Sequence, residues 1–141
     1  MQHLRITILA LLALIVASCH QHHSDNTLAP ETYRGMFPAA DCPGIDYTLT
    51  LNDSIAGADT LFALRMVYIE GDNDGSDITF DSRGRQQRFG IGAKRGYRLT
   101  PDDGDVATYF AIVNDTTLQM VDSTLTAIES PFNYDLVRTN Q

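Results

Sequence analysis

The most specific group of chemically capable residues in this 141-residue chain surrounds Cys19. Val16-Ala17-Ser18 precede that cysteine, and His20, His22 and His23 follow it. Ahead of them, a short start bearing the single charge Arg5 gives way to a mostly apolar run from Ile6 to Val16. A helix of that length rises about 16 Å, against a bilayer core of about 30 Å, so the run reads as a secretory signal and not as a membrane span. Small residues before a cysteine suit a lipoprotein signal peptidase, which makes Cys19 the thiol that takes the diacylglyceryl group and ties the chain to a membrane. Residues 1–18 are then signal peptide, 19–30 a polar lipidated tether and 31–141 one folded domain. Asp after the cysteine would hold a lipoprotein at the inner membrane; His20 favours the outer one.

Other candidates are each open to two readings. Imidazole suits copper, nickel or zinc, so His20, His22 and His23 are possible metal ligands, or simply polar tether residues. Cys42 has no partner inside the chain if Cys19 carries lipid. It is either a small buried hydrophobe in a turn or a thiol for a soft metal or for exchange. Glu70 to Asp81 imitates a calcium loop, with acids at its positions 1, 3, 5 and 12 and Gly75 at position 6. Its flanks read as strands, however, so an acidic hairpin loop is the better account. The span 83–98 holds Arg83, Arg85, Arg88, Lys94, Arg95 and Arg98 and no acid. In a chain of net charge −8, this is either a contact surface for an anionic partner or a solvated hairpin.

Two functional classes recede. Beyond the tether the chain has no histidine, so no histidine-based triad can form in the folded domain, and its carboxylates cluster in turns; no enzyme is expected. Losing residues 1–18 removes only Arg5 among the charges and takes −8 to −9, which gives no reason to expect nucleic acid as a partner.

The elements that must position these residues read as strands. Ile45, Tyr47, Leu49 and Leu51 alternate with polar residues, a period of two with one buried face. Residues 60–69 are apolar on both faces, which predicts a central strand. Short strands are expected at 78–80 and 97–99, a hairpin from 108–113 and 117–121 across Asn114-Asp115, and a last strand at 133–138. Turn signals fall at Asn52-Asp53, Gly71 to Gly75, Arg83-Gly84 and Pro101 to Gly104. Short strands so punctuated predict an all-β antiparallel sandwich or barrel.

One segment narrows this. Tyr33-Arg34-Gly35-Met36-Phe37-Pro38-Ala39-Ala40-Asp41-Cys42-Pro43-Gly44-Ile45, followed by Tyr47 to Leu51, resembles the N-terminal domain of the NlpE lipoproteins, the so-called copper resistance proteins. The ending agrees, in Leu118 to Asp122, Ile128-Glu129-Ser130 and Asn133 to Arg138. The resemblance implies a small antiparallel β-barrel, lipocalin-like in shape, on a lipid-anchored protein of the outer membrane. It also implies a part in envelope-stress or surface sensing through contact with an envelope signalling protein, or in copper homeostasis. A small-ligand or metal-binding barrel is the alternative. The family's Cys-x-x-Cys falls on Ala39 to Cys42, so its first cysteine is Ala39 here, and a pair of thiolates for copper or redox chemistry is not available within one molecule.

Overall fold

The structure, a computed structural model, describes residues 29–52 and 60–139. Eight strands follow in chain order: β1 Glu31–Phe37, β2 Ile45–Asn52, β3 Leu61–Tyr68, β4 Ile78–Ile91, β5 Lys94–Pro101, β6 Thr108–Asn114, β7 Thr117–Val121 and β8 Asp135–Arg138. Each pairs antiparallel with its chain neighbours, and β8 closes on β1. This is an up-and-down barrel of the lipocalin kind, and the all-β barrel expected from the sequence is what forms.

Alternation drives the closure. In β2 the inward row is Ile45, Tyr47, Leu49 and Leu51, facing Tyr68, Met66, Leu64 and Phe62 of β3 across the ladder. These continue into a core of Tyr33, Phe37, Tyr97, Leu99, Phe110, Leu118 and Leu136, in which Leu49, Leu99, Phe110 and Leu136 have no exposed surface. Phe37 stacks on Tyr47 at 4.2 Å between centroids and meets Tyr134 edge-on at 5.6 Å. The sequence motif around Gly35 has a steric reason. A Cβ there would fall inside 3.0 Å of the Asp135 carbonyl oxygen, so glycine lets β8 lie against β1.

Three sequence expectations change. The strand predicted at 78–80 and the turn at Arg83-Gly84 are one 14-residue strand, β4, and the strand at 97–99 extends over Lys94–Pro101. The inward row of β4 includes Ser82, Gly84, Gln86 and Arg88, which carries no apolar alternation to reveal a strand. Gly84 is inside the ladder because the Thr100 carbonyl and the Pro101 Cα, at 2.8 Å, fill the place of a Cβ. Finally, β3 is not a central strand, since a closed barrel has neither centre nor edge. Its outward apolar residues, Leu61, Ala63 and Val67, lie on the outer wall.

In an up-and-down barrel, alternate connections lie at alternate ends. The β1–β2, β3–β4 and β5–β6 loops (38–44, 69–77 and 102–107) share one end. They hold one, four and three carboxylates and no Lys or Arg. The start of β1, the end of β8 and the β4–β5 and β6–β7 turns lie at the other end. The β7–β8 connection folds back over the outer wall. Leu125 is buried there at a φ of 57°, its carbonyl accepting a hydrogen bond from Lys94 Nζ at 2.8 Å.

Candidate functional site

The polar residues of the barrel interior gather at the end where β1 begins. Glu31 and Tyr33 on β1, Arg88 on β4, Tyr97 on β5, Ile112 on β6, Leu118 on β7 and Arg138 on β8 line a mouth of about 350 Å³, with Asn114 and Asp115 on its rim. Strand alternation puts them there: Tyr33 pairs with Arg138 and Arg88 with Tyr97, each pair on the inward row. Glu31 uses both carboxylate oxygens, accepting from Arg138 at 2.9 Å and from the Tyr33 hydroxyl at 2.8 Å. Arg88 donates its Nε–H to the Tyr97 hydroxyl at 2.9 Å, with its guanidinium carbon 5.1 Å from the Tyr97 ring centre. Burial, and then the bond to Glu31, pushes the Tyr33 hydroxyl far above the usual phenol range, so it stays a proton donor. A smaller pocket of about 110 Å³ opens among Tyr47, Met66, Leu99, Thr108 and Met120, roofed by Asp105 and Val106.

The basic stretch singled out in the sequence is divided by the fold. Arg83, Arg85 and Arg98 are exposed on the outward rows of β4 and β5. Arg88 points to the mouth. Lys94 and Arg95 lie at the hairpin tip, where Arg95 donates to the Gly92 and Lys94 carbonyls. On the same outer wall Arg65 pairs with Asp81 at 2.8 Å, and Leu61 is 46 % exposed beside Arg85. The acidic loop at 70–77 is closed by its own backbone and carboxylates: Asp77 accepts from the Glu70 N–H, and Asp74 from the Ser76 N–H. The mouth was not legible in the sequence, because Glu31, Arg88 and Arg138 lie far apart in the chain and only closure of the barrel brings them together.

Cys42 is half-buried in the β1–β2 loop, packed with Ala39 against the core, and its thiol donates to the Gly44 carbonyl at 3.4 Å. The neighbouring Ala39 offers no second thiolate, and among the described residues no group of three or more His, Cys, Asp or Glu side chains is placed to hold a metal ion. Cys19 and the tether histidines His20, His22 and His23 lie outside the described residues.

A closed eight-stranded barrel with a polar mouth at its N-terminal end is thus the domain that Tyr33 to Ile45 opens. The NlpE N-terminal domain family matches residues 33–131, and the chain belongs to it, as an NlpE-like envelope lipoprotein. Comparison with curated proteins and with solved structures returns no match.

Proposed function

We propose that this chain is an outer-membrane lipoprotein, anchored by acylation of Cys19, with a non-enzymatic role in envelope-stress or surface sensing through protein contact. The observation that carries the reading is the outer wall of β3 to β5. There Arg83, Arg85 and Arg98 face outward beside the exposed Leu61 on a rigid closed barrel, within a chain of net charge −8. A basic face on an otherwise acidic protein selects an acidic partner and speeds encounter with it. Photo-crosslinking from position 85 in living cells is the test. A discrete adduct, lost with Arg83→Glu/Arg98→Glu together with the stress response, supports the reading. Unchanged adducts and response refute it.

A second reading, a small-ligand-binding barrel, is favoured by the mouth of about 350 Å³ and its mixed lining of guanidinium, carboxylate, phenol and apolar groups. Its test is mass spectrometry of the intact protein released from envelopes under native conditions, where a bound small molecule should be lost in Arg138→Ala.

A further inference from the structure

The barrel is electrically lopsided along its axis. At one end, three loops hold eight carboxylates and no Lys or Arg. At the other end, β4 and β5 run on as a hairpin beyond their neighbours. β3 pairs with β4 only as far as Arg85, and β6 pairs with β5 only from Gly96. Residues 90–95 therefore project with no ladder on either flank among the described residues. The projecting part carries Lys94 and Arg95, both exposed though each donates to backbone carbonyls (Lys94 to Leu125, Arg95 to Gly92 and Lys94), and its tip presents Ile91 with 44 % of its surface exposed. Acids near the hairpin are Glu31, already bonded to Arg138, Asp115, and Asp122 of the β7–β8 connection, whose carboxylate is held low by its hydrogen bonds and in part by Lys94; Asp53 and Asp59 lie outside the described residues.

The chain enters the barrel at this same end, because Glu31 and Arg88 line one mouth. Glu31 lies twelve chain steps beyond Cys19, which reach at most about 43 Å fully extended. We infer that the β4–β5 hairpin is a second, non-covalent membrane contact: Lys94, Arg95 and Ile91 dock on the anionic phospholipid surface of the bilayer that holds the anchor. This rests on the Cys19 anchor proposed above. A basic tip with one exposed apolar side chain is the chemistry of an interfacial contact, and each cation near an anionic leaflet strengthens it about 5-fold. The acidic end is repelled by the same surface, so charge alone orients the barrel with its acidic loops away from the membrane. The wall bearing Arg83, Arg85 and Arg98 is then left to the side for a protein partner.

The chain has no tryptophan, so Ile91→Trp is a unique reporter. The chain 19–141 in a Cys42→Ala background is coupled through the Cys19 thiol to a maleimide lipid, in vesicles with brominated acyl chains. One set contains phosphatidylethanolamine with phosphatidylglycerol, and the other phosphatidylcholine alone. The expected result is blue-shifted, quenched Ile91→Trp emission on the anionic vesicles only, with Val106→Trp at the acidic end unquenched on both. Adding Lys94→Gln/Arg95→Gln should lower the ratio of docked to undocked barrel about 25-fold. Equal quenching at positions 91 and 106, or quenching indifferent to lipid charge and to the double variant, overturns the inference and leaves the hairpin to an acidic protein. The chemical coupling makes this result independent of native acylation. Flotation of the cellular protein with and without Cys19→Ser tests the anchor separately.

Discussion

Gly35→Ala should open the barrel at its seam. A Cβ at position 35 falls inside 3.0 Å of the Asp135 carbonyl oxygen and 2.9 Å from Leu136 Cδ2. The first of these is backbone, so relief requires all of β8 to move. β8 has four residues and meets β1 at only two register pairs, Tyr33 with Arg138 and Arg34 with Val137, extended by the Thr139 N–H to the Thr32 carbonyl at 2.8 Å. Overpacking costs about 1–3 kcal/mol, and losing two or three seam hydrogen bonds about 1 kcal/mol each. The expected loss is about 3–6 kcal/mol, a large part of the roughly 5–15 kcal/mol that holds a domain together. Urea unfolding followed by circular dichroism should show the midpoint falling by about 2 M, and the Thr139 amide should exchange early. Gly75→Ala is the comparison, since nothing lies within 4 Å of its Cβ and only the φ of 81° opposes it, a strain of about 1–2 kcal/mol. If Gly35→Ala loses no more than Gly75→Ala and Thr139 stays protected, the steric account of the seam is wrong.

Phe37→Ala removes a ring that is 3 % exposed and packed on both Tyr47 and Tyr134, so calorimetry should register a loss of about 3–5 kcal/mol. The Asp122 carboxylate accepts hydrogen bonds from the Thr124 hydroxyl and the Thr126 N–H, which hold its pKa below the ordinary 3.8. A carboxyl lowered on folding stabilises above its ordinary value and loses that effect as pH falls through the lowered one. Protection of the Thr126 amide should therefore drop below pH 3.8, and Asp122→Asn should abolish that acid step in hydrogen exchange. In an anaerobic Cu(I) titration against a chelator, Cys42→Ala should leave any binding unchanged, while a His20/His22/His23 triple alanine variant removes it. Loss of binding in Cys42→Ala would show that the half-buried thiol is a ligand after all.

How much was legible in the sequence varied along the chain for a physical reason. The alternation of Ile45 to Leu51 is visible because one face of β2 meets an apolar interior, and the Asn114-Asp115 hairpin because a turn has local chemistry. β4 was not visible beyond residue 80, since its inward row carries Ser82, Gly84, Gln86 and Arg88 in place of apolar residues. Gly84 looked like a turn for the same reason that it fits a ladder: it lacks a Cβ. The basic stretch was legible as charge but not as geometry, and only the register sends Arg88 to the mouth and Arg85 to the outer wall.

What local patterning alone determined was the class of strand, the turns and, through Tyr33 to Ile45, the family, since these depend on residues close in the chain. The tertiary structure decided what depends on closure. It brought Glu31 to Arg138 across the β1–β8 seam and explained Gly35 by the backbone of a strand a hundred residues away. It also sorted the acidic loops to one end and the basic hairpin to the other, because an up-and-down barrel alternates its connections. A sequence lists charges in order along the chain, and only the closed barrel turns that order into two poles.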